Sequence, residues 1–438
     1  MKPTLQSIVP LMAATLLVAG TAARAAEPIF VPVKIDGPVH SPKNDSWWFG
    51  PFNESCSVLD VNSDGIADIT CGRNWYQAPK WEKHTDYFEG AAEWHPTWDH
   101  CREIAFDVNR DGAVDVVNAG YQPGVEGVVW YENPGRAGTP WKVHKIHHSP
   151  KIEGVEPGDI DGDGDADLLL NHFGPRGSED VVWFESIDQA PWLVKHVIAA
   201  KADGHGNGLG DINGDGRPDV VDSMGWYEGP PDPRQSPWVF HRDYRMQFAA
   251  SHPLLVHDVD GDGHNDIIAG NGHGRGLYWL QQIVEPGGKR RFVQHTIEPD
   301  YGQFHALILA DLNDDGRLDL VTGKRLFPHN GLDASAFEPS FIFWYDIAGG
   351  EFKRHVLSFN HLGWFPREEN INPPPNCVIG TGMKIVAADI NADQRIDLLV
   401  SGRTGLYAIL NMGMTPDTQL QHKLPPRRVD RGAVGNGY

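Results

Sequence analysis

One acidic nonapeptide recurs seven times along the chain, and its spacing limits the fold more than any other feature. The copies are DVNSDGIAD at 60, DVNRDGAVD at 107, DIDGDGDAD at 159, DINGDGRPD at 211, DVDGDGHND at 258, DLNDDGRLD at 311 and DINADQRID at 389. The start-to-start intervals are 47, 52, 52, 47, 53 and 78 residues. A period near fifty signals an array of similar supersecondary units that bury their faces against one another.

More than the turn repeats. Each copy precedes an apolar β-like run such as DLLL or DVVNAG. An aromatic pair follows: Trp75-Tyr76, Trp130-Tyr131, Trp183-Phe184, Trp226-Tyr227, Tyr278-Trp279, Trp344-Tyr345, and a reduced Leu406-Tyr407. Then come a Gly/Pro-rich turn and a short strand ending in histidine (His84, His144, His196, His241, His295, His355, His422). With the apolar segment ahead of each acidic turn, a unit holds four short strands, A to D, and the acidic turn joins A to B. Seven four-stranded antiparallel units predict an all-β, seven-bladed β-propeller, in which radial packing protects the strand edges. The strand-D pattern also occurs upstream in IFVPVKID at 29–36, giving eight D candidates for seven blades. Either that strand or the C-terminal LQHKL closes the ring. The regular spacing of LQHKL favours the C-terminal copy.

The predicted organisation is a leader at 1–25, a propeller at 26–425 and a disordered tail at 426–438. The leader reading rests on Lys2, an apolar run, and Ala23 and Ala25 in an A-x-A pattern, with cleavage before Ala26. It predicts export to the periplasm or outside the cell. A formal charge of −22 argues against nucleic acid or an anionic membrane as partner. Four cysteines (Cys56, Cys71, Cys101, Cys377) are too few to be the main scaffold. Cys56 and Cys71 flank one turn symmetrically and could bridge as cross-strand neighbours, although sequence does not fix the pairing.

The acidic turn places oxygen side chains at positions 1, 3, 5 and 9 and a glycine at 6. These are Asp60, Asn62, Asp64 and Asp68; Asp107, Asn109, Asp111 and Asp115; Asp159, Asp161, Asp163 and Asp167; Asp211, Asn213, Asp215 and Asp219. The last three copies supply Asp258, Asp260, Asp262 and Asp266; Asp311, Asn313, Asp315 and Asp319; and Asp389, Asn391, Asp393 and Asp397. Hard, all-oxygen donors on alternate residues of a tight loop suit Ca²⁺. An EF-hand would need Glu at position 12 between helices. Here that position is Cys71, Asn118 or Leu170 and the flanks are β, so the EF-hand reading fails. A solvated, self-capping acidic turn is the alternative for one copy, and seven copies favour a metal. Gln394 replaces the glycine in the last copy, which predicts a weaker site there. Seven dications would offset 14 of the 22 negative charges.

The pattern resembles the FG-GAP or VCBS repeat family of propellers, which includes the integrin α-subunit head. The resemblance covers about residues 30–425 and implies fold and calcium, but not chemistry. Within it, WKVHKIHHSPKIEGVEPGDIDGDGDADLL and FHALILADLNDDGRLDLVTG are similar to the propeller domain of aldos-2-ulose dehydratases. Those enzymes eliminate water from keto-sugars and carry cupin domains after the propeller. This chain ends after its propeller, so a cupin-borne activity is not expected, and Glu153 stands where that family has His.

Strand A is innermost in propellers, so its first residues should ring the channel at the end opposite the acidic turns. Six residues ahead of each turn stand Glu54, Cys101 (beside His100), Glu153, His205, His252, His305 and Met383. The strand-D histidines, by contrast, are expected to be structural. The B–C loops add Arg73, Tyr121, His172, Arg176, His273, Arg275, Lys324, Arg325, His329 and Arg403 to the same end. Three long insertions fall there too: EKHTDYFEGAAEWHPTWD, KRLFPHNGLDASAFEPS and NHLGWFPREENINPPPN. Long loops on a rigid ring commonly build binding sites, and their aromatic residues suit sugar faces.

Two readings follow. One is a carbohydrate-active lyase or dehydratase performing β-elimination on a keto-sugar or uronate. His205, His252, His305, His100 and Glu153 are then a Zn²⁺-type metal site or a base pair, Tyr121 an acid, and Arg325 and His273 oxyanion partners. The other is a non-catalytic glycan- or protein-binding propeller with its histidines hydrogen-bonded to backbone. Neither reading fixes an oligomeric state.

Overall fold

The computed structural model describes residues 27–37, 54–91, 102–120, 126–174, 177–201, 204–326, 328, 332–336, 338–359, 379–403 and 405–415. The expected leader, His100, Cys101, Tyr121, Arg176, His329, Cys377, the LQHKL strand with His422 and the C-terminal tail lie outside the described residues.

Among the described residues, 28 strands form seven four-stranded antiparallel sheets, each in the order A-B-C-D. Blade 3 is typical, with Ile152–Gly158, Asp167–His172, Val181–Ser186 and Leu193–Ala199. The chain is a seven-bladed β-propeller. Strand B of this blade, DLLLNH, is buried along its whole length because both faces of its sheet lie against neighbouring blades. Branched and aromatic residues suit that two-sided burial. Seven separate apolar cores result, one at each junction between blades. Val117 and Trp130 meet Val155 and Leu170 between blades 2 and 3; Ile69 and Tyr76 meet Leu399 and Leu406 between blades 1 and 7.

The ring closes differently from the expectation. Strand D of blade 7 is the N-terminal Glu27–Asp36, paired with strand C Gly405–Thr415 in a register running from Glu27↔Thr415 to Asp36↔Leu406. Its ends reach both neighbours. Glu27 lies 3.5 Å from Lys353 of blade 6. Asp36 accepts hydrogen bonds from Tyr76 Oη at 2.7 Å and Lys83 Nζ at 2.6 Å in blade 1. Repeat spacing pointed to the C-terminal copy, but spacing says nothing of which strand can join the first blade to the last.

Two devices repeat around the ring. In six blades the strand-C tryptophan stacks on the cross-strand histidine of strand D, with ring centroids 4.0–4.7 Å apart. In five of them the histidine Nε2 also meets a Glu or Gln two residues beyond the tryptophan, at 2.7–3.3 Å. These histidines are structural, each stack contributing about 1 kcal/mol beyond its area. Second, the position-9 aspartate accepts the backbone N–H of position 2 in all seven blades. In six its other oxygen accepts an N–H at the end of strand C. One carboxylate therefore ties strands A, B and C together. Cys56 and Cys71, one step beyond the Ser57↔Thr70 pair, are buried free thiols, and Cys71 Sγ contacts Ser55 O at 3.6 Å.

The closure predicts opposite outcomes for two truncations. Removing residues 1–36 should leave blade 7 three-stranded and lower the melting temperature by many degrees or give insoluble protein. Removing residues 416–438 should leave it unchanged. Calorimetry of the two truncated chains checks this.

Candidate functional site

The inner strands bring the predicted residues together, but they sort into three groups rather than one ring. The first is a chain of side chains across blades 3 to 6. His205 Nδ1 donates to Ala250 O at 2.6 Å. Its Nε2 lies 3.3 Å from Glu153 Oε2 and 2.9 Å from His273 Nε2. His273 Nδ1 in turn faces Asp333 Oδ2 at 3.2 Å. His305, fully buried, packs edge-on against His273 with centroids 5.2 Å apart. Gly272 makes room for it, since a Cβ there would stand 2.8 Å from His305 Cε1. Glu153 is buried, and its Oε2 has no hydrogen-bond partner.

The tautomers follow from these contacts. An acceptor faces Nδ1 of both His205 and His273, so each neutral ring carries its proton there and turns a lone pair outward at Nε2. Two lone pairs 2.9 Å apart beside a carboxylate repel. The contact requires positive charge, as a proton on one ring or a cation against both.

The second group crosses the channel. Arg102 of blade 2 donates through Nη1 to Met383 O of blade 7 at 3.0 Å and through Nη2 to Glu156 Oε2 of blade 3 at 2.7 Å. His252 of blade 5 lies 3.5 Å from the same carboxylate oxygen and donates through Nδ1 to Asn207 O at 3.2 Å. Burial and then the Arg102 charge hold His252 well below the ordinary imidazole range, so this ring stays neutral. A Cβ at Gly154 would overlap it. Beyond this layer lies an apolar cavity of about 210 Å³ lined by Leu209, Leu254, Leu255, Val256 and Leu309 with Glu156. His252 thus belongs to a polar partition in the channel, apart from the His205–His273 contact.

The third group is electrostatic. Arg325, expected beside His273, instead pairs with the buried Glu54 at 2.5 Å, and Arg403 stands 3.7 Å from the same carboxylate. Neighbouring Lys324 is fully buried, and desolvation brings its amine down to about 7. Sequence reasoning missed Asp333, Arg102 and Glu156. Arg102 and Glu156 lie within inner strands, one and three residues past the offset that was read. Asp333 sits in an insertion with no counterpart in other blades, so no repeat register marks it.

In the acidic turns, the position-1 aspartate accepts the N–H of position 6 in every copy, including Gln394 N in the last. Gln394 adopts φ +67°, so the turn forms without its glycine. Among the described residues, the His, Cys, Asp and Glu groups that converge closely enough for three of them to share one ion are Asp159, Asp161 and Asp167, and Asp258, Asp260 and Asp262; His205, His273 and Glu153 do not converge that closely. In three copies an arginine at position 7 pairs with position 5: Arg217 with Asp215, Arg317 with Asp315 and Arg395 with Asp393. The oxygen-only donor set of these turns fits Ca²⁺.

Comparison with known proteins shows an FG-GAP-like repeat at residues 107–170 and 258–322. No curated protein sequence matches the chain. Among solved structures, BBS1N in complex with ARL6DN is similar at 9% identity and a TM-score of 0.47, covering 86% of this chain and 96% of that one. A Bacillus licheniformis rhamnogalacturonan lyase is similar at 10% identity and a TM-score of 0.42, covering 88% and 76%. Likenesses this distant carry no argument about activity.

The turns predict how stability depends on pH. Burial pushes Asp68 and Asp219 up to about 6, and Asp115, Asp167, Asp266 and Asp319 up to about 7. An unfolded aspartate titrates near 4. Between those values the metal-free folded state holds protons that the unfolded state releases, so its stability falls as pH rises through about 4 to 7. A dication that keeps these carboxylates ionised removes the penalty. In chelator the melting temperature should fall from pH 5 to pH 8; in millimolar Ca²⁺ it should rise overall and lose most of that slope. A slope unaffected by calcium would contradict metal binding by these turns.

Proposed function

We propose that this FG-GAP-repeat propeller is a calcium-stabilised, exported, carbohydrate-active lyase that performs β-elimination on a keto-sugar or uronide at the His205–His273 end of its channel. The reading is carried by one observation: two imidazoles from adjacent blades face each other through Nε2 at 2.9 Å, each with an acceptor behind its Nδ1. That is the arrangement of metal-binding histidines, whose second nitrogen donates to a carboxylate or carbonyl. His205 and His273 would hold a zinc-class ion through their Nε2 atoms once the rings move slightly apart from their present hydrogen-bond separation. Glu153, with a buried oxygen 3.3 Å from His205, is the carboxylate beside the pair.

Such an ion, when bound, polarises a carbonyl oxygen and acidifies the neighbouring C–H. The chain's own residues supply the rest. His205 and His273 are the solvent-reaching members, with side chains 20% and 26% exposed, and they position the sugar. His305, beside His273, is the imidazole left to take the proton. Arg325 neutralises the buried Glu54, and the more exposed Arg403 beside it is the cation available to an anionic sugar. Tyr121, outside the described residues, remains the candidate for protonating the leaving group. The Arg102–Glu156 contact crosses the channel beside this site.

The test is a screen of purified protein against keto-sugars and uronides, following the ultraviolet absorbance of the conjugated product. His205→Ala and His273→Ala should each lower kcat/KM by about 10²–10⁴-fold, with melting temperatures near wild type. Elimination that survives both changes would remove the site. Glycan binding without any elimination would favour the recognition-module reading.

A further inference from the structure

We infer that Asp333 is a positioning residue: it holds His273 in the tautomer that presents a lone pair to His205, and so sets the affinity of this site for a divalent cation. The inference rests on the reading above and concerns a residue on the blade-6 insertion, between strands Asp319–Gly323 and Phe341–Ala348.

Donors and acceptors around the two rings set the tautomer. His205 is fixed by a backbone carbonyl, Ala250 O, and cannot change partner without moving the strand. His273 sits on the blade-5 loop between Asp266–Gly270 and Arg275–Val284, and the acceptor that faces its Nδ1 is a side chain from the next blade. Without that carboxylate, the ring's lowest-energy choice is to carry its proton on Nε2 and donate it to His205 Nε2. The two rings would then satisfy each other, and neither would offer a lone pair to an ion. With the carboxylate present, Nδ1–H is retained, so a cation that displaces the proton held between the rings meets a lone pair on both Nε2 atoms. A carboxylate behind a ligand imidazole also raises its basicity.

The delivery of Asp333 is braced. Gln303 Nε2 donates to Ala334 O at 3.0 Å, and Arg275 pairs with Glu338. Ala336 N and Glu338 N donate back to Asp333 O and Ser335 O at 3.2 and 2.9 Å. The Asp333 side chain is 13% exposed. The insertion is therefore clamped to blade 5 at two points, one of which is the tautomer-setting contact.

The test titrates Zn²⁺ into calcium-saturated full-length protein, against a chromophoric chelator, for wild type, Asp333→Ala, Asp333→Asn, Glu338→Gln and His205→Ala. The expected result is one zinc site in wild type, abolished by His205→Ala and weakened by about 10–100-fold in Asp333→Ala. Asp333→Asn, which keeps an acceptor oxygen without the charge, should fall between, and Glu338→Gln should stay close to wild type. Wild-type affinity in Asp333→Ala, or in a folded Asp333→Asn should the alanine variant not fold, overturns the inference and leaves the metal site standing. A loss in Glu338→Gln equal to that in Asp333→Ala assigns the effect to loop bracing and overturns it too. A wild type that takes no zinc at His205 removes the functional reading and the inference together.

Discussion

Each blade of this ring buries both faces against its neighbours, so the structure depends on the one junction that chain continuity cannot make, blade 7 against blade 1. The strand Glu27–Asp36 makes it. It adds a fourth strand to the last blade and plants Asp36 on Tyr76 and Lys83 of the first. The seven interblade cores are comparable units, and loss of any one opens edges on both sides of the gap. Within a blade the position-9 aspartate does a related job, joining three strands through two oxygens. The acidic turn is thus a fastener even before any ion is considered, and calcium would add to it by keeping that buried carboxylate charged.

Closure also creates the site. Seven inner strands converge on one axis, and whatever stands at their starts is pressed together whether or not the groups suit each other. Most of these contacts are satisfied: Arg102 neutralises Glu156, Arg325 neutralises Glu54, and His252 rests on Asn207 O. The His205–His273 pair is a place where two imidazole lone pairs meet and do not balance without an added positive charge. It also faces the blade-6 loop that carries Asp333. Two facing imidazoles that reach solvent beside a buried carboxylate are the physical ground for placing function there.

The repeat made the architecture legible from sequence. A period near fifty, an acidic turn and an aromatic–histidine pair sufficed for seven four-stranded blades, because each signal was local to one unit. The strand-D histidines were readable as structural for the same reason, and their stacking on tryptophan supplies the cause. Closure was not readable, since two strands had the right pattern and the choice depended on where Tyr76 and Lys83 lie in space. The inner-ring offset picked out Glu153 and His205, which lie 3.3 Å apart, and His305, which packs on His273. It could not separate His205 from His252, because the partition depends on Arg102 reaching across to Met383 O and Glu156. Asp333 was beyond reach altogether: an aspartate in a unique insertion has no register from which its partner can be inferred.

The most direct measurement is a crystal structure of the calcium-saturated protein soaked with Zn²⁺, with anomalous data collected on both sides of the zinc edge. The account predicts one zinc peak about 2 Å from Nε2 of both His205 and His273, with Asp333 still hydrogen-bonded to His273 Nδ1 and none against His252. Imidazoles hydrogen-bonded directly to each other, with no peak between them, would contradict it.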